Sequence, residues 1–246
     1  MELLNQKYGL VEEDFTSAEL ELVPAIKARD VGFDRSLVGS YGQDDRASAY
    51  TSLQALLSLQ ETPRTVIALF VDKEEIGSEG NTGAKSLFLE SVTRNLIERS
   101  GVAVTEALLK EVLSNSKALS ADVESALDPN YPEVHEKQNA GKIGYGVCLE
   151  KFTGSRGKSA ASDARAEYVG EIRRIFNTHN VAWQMTEIGK VDEGGGGTVA
   201  KYLAIYGMDI IDCGAPVLSM HSPFEVTSKA DIFEAYKAYR AFLSSP

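Results

Sequence analysis

Hydrophobic positions along the chain switch repeatedly between two periods. Ala47, Tyr50, Leu53, Leu56 and Leu57 recur at helical spacing, which predicts a helix from about Asp45 to Gln60. Thr65-Val66-Ile67-Ala68-Leu69-Phe70-Val71 is a continuous, β-rich apolar run and predicts a buried strand over 64–72. Helical spacing returns over 83–100 and again from Val104 to Ser114. Lys117–Val123 and Ile143–Leu149 read as strands, and Gly154–Ala161 as a polar loop. A helix over Ala164–Asn177, a strand over Val181–Glu187 and a helix over Val199–Tyr206 follow. Asp209–Cys213 and Val217–His221 read as short strands, and an amphipathic helix over Ala230–Leu243 closes the chain. The first residues, to about Leu20, are polar and acidic, with a short helical pattern in Glu12–Leu20. Leu20-Glu21-Leu22-Val23-Pro24 reads as a strand cut short by proline, and the segment through Ser40 as irregular with short strands. Strands alternating with helices predict an α/β fold with a mostly parallel sheet covered on both faces.

Composition adds little to this picture but excludes some partners. At 246 residues, 43% hydrophobic and 25% charged, the chain has the make-up of a globular protein. A formal net charge of -11 argues against nucleic acid or an anionic membrane as the main partner. No apolar run is long enough to span a membrane, and the start carries no signal-peptide pattern, so a cytoplasmic location is expected. Cys148 and Cys213 each lie in an apolar run and read as small buried hydrophobes.

The candidate chemistry sits where predicted elements begin or end. Glu74 and Glu75 follow the 64–72 strand and precede the glycine-rich Gly77-Ser78-Glu79-Gly80. In open α/β sheets, ligands bind at the carboxyl ends of strands, so these two acids are placed for chemistry. A solvated acidic turn is the plainer reading of the same pair. Asp44 and Asp45 fall at a helix N-terminus, where they serve equally well as caps. Asp122 and His221 also lie at strand–loop junctions. Carboxylate and imidazole together suit zinc, cobalt or manganese. A pair of metals bridged by one carboxylate, with another carboxylate as base, is a common hydrolytic plan.

Four stretches, taken together, resemble the aspartyl aminopeptidase (aminopeptidase I) family of zinc metallopeptidases. They are Gly42-Gln43-Asp44-Asp45-Arg46, Asp72-Lys73-Glu74-Glu75-Ile76-Gly77-Ser78, Ser120-Ala121-Asp122 with Asp128-Pro129-Asn130-Tyr131, and Met220-His221-Ser222-Pro223. The resemblance runs from about Phe15 to the last helix. It implies a three-layer α/β sandwich of the zinc exopeptidase type. It also implies that Asp44 bridges two metals, that Glu75 and His221 complete one site, and that Asp122 binds the second metal. Glu74 would be the general base. The implied reaction removes one residue, often acidic, from the free amino end of a peptide.

In one respect the chain departs from the pattern. The family places a further histidine ligand ahead of the Asp44 position, whereas the three histidines here are His135, His179 and His221. The expectation is therefore the C-terminal part of such an enzyme. Residues 1–40 would be a remnant of an inserted dimerisation domain and linker, and 41–246 the catalytic domain. Its assembly would be a homo-oligomer or a complex with a complementary N-terminal segment. A missing strand would expose a sheet edge. His135, beside Glu133, Glu136 and Lys137, reads as an exposed loop histidine. Glu193 through Thr198 places four glycines before a helix, so Gly195 and Gly196 are candidates for holding a substrate oxygen, with a flexible turn as the alternative. Arg156 and Lys158 are candidates for meeting an acidic substrate side chain, or are solvated loop cations. A phosphate loop is rejected at Gly157-Lys158-Ser159, because the required glycine five residues earlier is Phe152. Besides an aminopeptidase, an inactive structural or regulatory subunit that assembles with complete chains fits the sequence, as does a related metallopeptidase of different specificity.

Overall fold

The computed structural model describes residues 1–156, 159–190 and 192–246. Two short helices, α1 (Glu2–Tyr8) and α2 (Glu12–Ser17), bury none of their residues. Leu20–Val23 forms no strand; it has no pairing partner among the described residues, and Leu22 is fully exposed. Strands β1 (Arg29–Val31) and β2 (Leu37–Ser40) then lead into α3 (Gln43–Leu57). Asp44 and Asp45 have non-helical backbone, and Asp45 Oδ1 accepts the Ser48 N–H at 3.1 Å, so Asp45 is the cap. Asp44 is left free to point elsewhere.

The expected strand over 64–72 does not form. Residues 65–71 pair with no strand among the described residues, and Ile67 and Phe70 are 41% and 51% exposed. A strand is defined by the ladder it joins, and here no neighbour supplies one. The helix expected from Gly83 starts only at Phe88, as α4 (Phe88–Arg99), because 83–87 are turns. Gly83 cannot carry a Cβ there: it would stand 2.2 Å from Ser78 O.

Helix α5 (Glu106–Ser114) is capped by the Thr105 hydroxyl, which accepts the Leu108 N–H at 3.1 Å. Then come β3 (Lys117–Ser120), β4 (Glu124–Ser125) and β5 (Val147–Glu150). The expected polar loop over 154–161 is instead part of an antiparallel hairpin of β6 (Phe152–Ser155) and β7 (Ser159–Asp163). Its Ser and Gly content hid the extended backbone. The rest is α6 (Ala166–Thr178), β8 (Trp183–Thr186), α7 (Ala200–Ala204), β9 (Asp209–Gly214), β10 (Pro216–Leu218), β11 (Glu225–Ser228) and α8 (Lys229–Ser244).

The central sheet runs β3-β9-β5-β8, with β3–β9 and β5–β8 parallel and β9–β5 antiparallel. A second sheet runs β1-β2-β11-β10-β4, so residues 37–40 share a sheet with 225–228. Tyr168, Ile172 and Phe176 of α6, Ala235, Ala238 and Tyr239 of α8, and Val147, Leu149, Ile211 and Cys213 of the central sheet form the main core. Burial of these side chains is the dominant favourable term for the fold. Strand alternation turns Cys148, Glu150 and Asp212 to the opposite face. Both cysteines are buried and unbridged. No described helix is long and apolar enough to cross a membrane.

Asp231, buried near the start of α8, accepts the Gly144 N–H at 2.6 Å and the Gly146 N–H at 2.8 Å. Replacing it with alanine strands two donors, at about 1–3 kcal/mol each. Asp231→Ala is therefore expected to lower stability by roughly 3 kcal/mol, measured by thermal or urea denaturation.

Candidate metal centre

The loop end of the central sheet and the adjacent sheet enclose a cavity of about 330 Å³. Asp44, Glu74, Glu75, Asp122 and His221 all line it.

Three of them converge. His221 Nε2 lies 2.9 Å from Asp44 Oδ2 and 3.2 Å from Glu75 Oε2. One donor atom from each residue lies within 4.8 Å of the other two. Asp122 borders the same cavity but is outside that convergent set.

Each donor is delivered by a defined piece of backbone. Glu74–Ile76 is a single 3₁₀ turn closed by Ser78 N–H to Lys73 O at 2.7 Å and Gly77 N–H to Glu74 O at 3.0 Å. Gly77, with φ at +99°, ends it. His221 sits in the turn after β10 with φ at +65°, a conformation costly for a non-glycine residue and typical of functional sites. Glu225, only 2% exposed, locks Asp44 and His221 together. Its Oε2 accepts the Asp44 N–H at 3.1 Å and its Oε1 accepts the His221 N–H at 2.8 Å.

The electrostatics are those of crowded anions. Burial, then the Glu75 carboxylate, pushes Asp44 up to about 7 despite the opposing pull of His221. Burial pushes Asp45 up to about 8. Asp122 is held well above the usual carboxylate range by burial and by Asp45 and Asp44. Glu74 is raised by burial and by Glu75. Acids arranged this way need protons or a cation.

A family model described as Aminopeptidase I zinc metalloprotease (M18) matches residues 1–243. The chain belongs to the M18 family. It is 53% identical over 245 residues to a probable M18 family aminopeptidase 1 from Clostridium acetobutylicum, covering 100% of this chain and 52% of that protein. The crystal structure of an M18 aminopeptidase from Thermotoga maritima superposes with a TM-score of 0.95 at 51% identity, covering 100% of this chain and 54% of that one. The S. cerevisiae mApe1 dodecamer gives 0.73 at 26% identity, covering 89% and 48%. The chain spans about half the length of the relatives it matches.

The donor set fits the metal of the M18 description. Two carboxylates and one imidazole make a donor set suited to zinc.

Other residues of the site are placed differently from the sequence reading, or were missed by it. His135 is not an exposed loop residue: it is 6% exposed and lines the cavity, because the Pro132–Val134 turn folds it inward. Gly195 and Gly196 line the cavity as expected. Close packing requires glycine at two positions of this stretch, since a Cβ on Gly195 would meet Gly154 O at 2.4 Å and one on Gly197 would meet Ala160 O at 2.5 Å, while Gly196 has room for one. Helix α7 after them has five residues, too short for an anion site at its N-terminus. Arg156 is exposed, and Lys158 lies outside the described residues. Glu124, Glu150, Asp212 and Glu225 escaped the sequence reading. For Glu150 the signal was present, as a lone acid closing the apolar run Val147–Leu149.

Glu225→Gln puts an amide N–H₂ against one of two backbone donors. It is expected to weaken zinc binding about tenfold or more, measured by competition with a chromogenic chelator. The acids also set a pH response. Asp44 and Asp45 hold protons more tightly folded than unfolded, so stability of the metal-free chain falls as pH rises from about 4 through about 8. The melting temperature measured without zinc should drop over that range, and added zinc should raise it most at the alkaline end.

Proposed function

We propose that the chain is the catalytic part of a zinc aminopeptidase. The observation that carries this reading is the convergence of Asp44, Glu75 and His221 with Glu74 on the same cavity wall. Zinc would be held by those three donors, cobalt and manganese being chemically compatible, and Asp122 would serve a second ion shared with Asp44. Bound there, the metal would supply Lewis acidity and make a water acidic enough to attack near neutral pH.

The chain's own groups would do the rest. Glu74, half-buried and raised, would take the proton of the attacking water and return it to the leaving amine. Glu225 would keep Asp44 and His221 in register throughout. The backbone of Gly195 and Gly196 would border the peptide. The preference for an acidic amino-terminal residue is the finer expectation drawn from the resemblance.

A second reading is a non-catalytic subunit that assembles with complete M18 chains. It is favoured by the exposed, unpaired apolar run 65–71, which another polypeptide's strand would cover. For the catalytic reading the assembly proposed is a homo-oligomer or a complex with a complementary N-terminal segment, which would pair with the run 65–71. No role in binding nucleic acid or membrane is proposed, and the cytoplasm is the compartment inferred.

Zinc content and hydrolysis separate the two readings. Glu74→Gln should leave zinc bound while lowering turnover of an aminoacyl-p-nitroanilide about 100-fold or more. Full zinc content in the unaltered chain with no turnover would favour the subunit.

A further inference from the structure

The cavity has a second group of buried polar side chains that the metal centre does not use. Register sets Ser120 beside Asp212 across β3–β9, Asp212 opposite Glu150 across β9–β5, and Glu150 beside Thr186 across β5–β8. Leu119, Ile211, Cys213, Leu149 and Trp183 face the α6–α8 core, so alternation turns this row of four to the other face. Directly opposed residues on one face stand about 4.5–5.5 Å apart at Cβ. Glu150 and Asp212 are therefore adjacent carboxylates in the cavity floor, and both line it.

Their hydrogen bonding is unequal. Asp212 Oδ1 accepts the Thr198 hydroxyl at 2.5 Å. Glu150 is 5% exposed, and its Oε1 has no hydrogen-bond partner among the described residues. His135 Nδ1 and Glu124 Oε1, in the same lining, are likewise buried and without partners. A buried carboxylate oxygen without a donor is costly, and two side by side invite a cation. No lysine or arginine is among the described lining residues.

No third metal donor converges on Glu150 and Asp212 among the described residues. Among the described residues the only donors that converge tightly are Asp44, Glu75 and His221. A separated set of acceptors suits an alkylammonium, which spreads three N–H donors around one charge. Ile188 in the wall offers apolar surface to a methylene stem.

We propose that this compartment is the side-chain pocket for a basic amino-terminal residue, with a lysine ammonium donating to Glu150 Oε1 above Asp212. The inference rests on the aminopeptidase reading for the orientation of the peptide. It runs against the acidic preference implied by the family resemblance, because an acidic side chain would meet like charge here.

Calorimetric titration of the zinc-supplied full chain tests it without requiring turnover. L-lysinamide should bind about tenfold or more tightly than L-norleucinamide, which has nearly the same shape and no side-chain charge. L-aspartic acid α-amide should bind weakest. Glu150→Gln, checked for folding by circular dichroism, should remove the lysinamide advantage. Equal binding of lysinamide and norleucinamide by the unaltered chain overturns the pocket without recourse to any variant. Equal weakening of both ligands in Glu150→Gln also overturns it, since the α-amino group would then be the one held. A chain that binds lysinamide selectively but hydrolyses nothing sinks the aminopeptidase reading and leaves the pocket. A chain that hydrolyses leucine but not lysine p-nitroanilide does the reverse.

Discussion

The Glu225 carboxylate holds the backbone of two distant segments at once. One oxygen takes the Asp44 N–H, the other the His221 N–H, while the Glu225 carbonyl takes the Gln43 side-chain N–H at 2.7 Å. The geometry follows from sheet order. β11 lies between β2, which leads to Asp44, and β10, which leads to His221. Had β11 slipped by one residue against its neighbours, Glu225 would face the other side and release both backbone donors. The metal centre is therefore a consequence of strand register as much as of its own side chains.

That constraint forces acids together in a partly dry space. Asp44, Glu74, Glu75, Asp122, Glu124, Glu150 and Asp212 all line one cavity. These acids are thus built into the fold and are not part of a solvated surface coat. The fold tolerates this because the charges are divided. Near Asp44 the carboxylates converge closely enough for a metal; near Glu150 they are held apart by strand spacing and suit a bulkier cation. The same cavity thereby holds two groups of acids with different spacing.

The sequence revealed elements whose signal is local and hid those whose meaning comes from a partner. α6 and α8 follow from spacing of apolar residues, and α5 stands where its period placed it, with Thr105 closing its start. Asp44, Glu75 and His221 were singled out through the four stretches that resemble the family, since the acids alone read equally well as helix caps or a solvated turn. Glu225 was not, because nothing in Pro223-Phe224-Glu225-Val226 distinguishes an acid that grips two backbone donors from a surface acid. His135 was misread because its neighbours are charged, while a turn beginning at Pro132 decides its burial. The run 65–71 has the composition of a buried strand, but composition cannot provide the neighbour that makes it one.

This last point bears on the centre itself. Asp44 has only 7% of its side chain exposed, whereas Glu75 and His221 have 55% and 62%. His221 is tied down through Glu225, whereas Glu75 follows the segment 65–71, which joins no ladder among the described residues. Its turn is closed mainly by its own bonds, with Asp72 N–H to Thr82 O at 3.0 Å anchoring the base. The three donors are thus one buried anchor, one tethered histidine and one carboxylate on a self-supporting loop. A strand added along 65–71 would stiffen the third donor while leaving the first two unchanged.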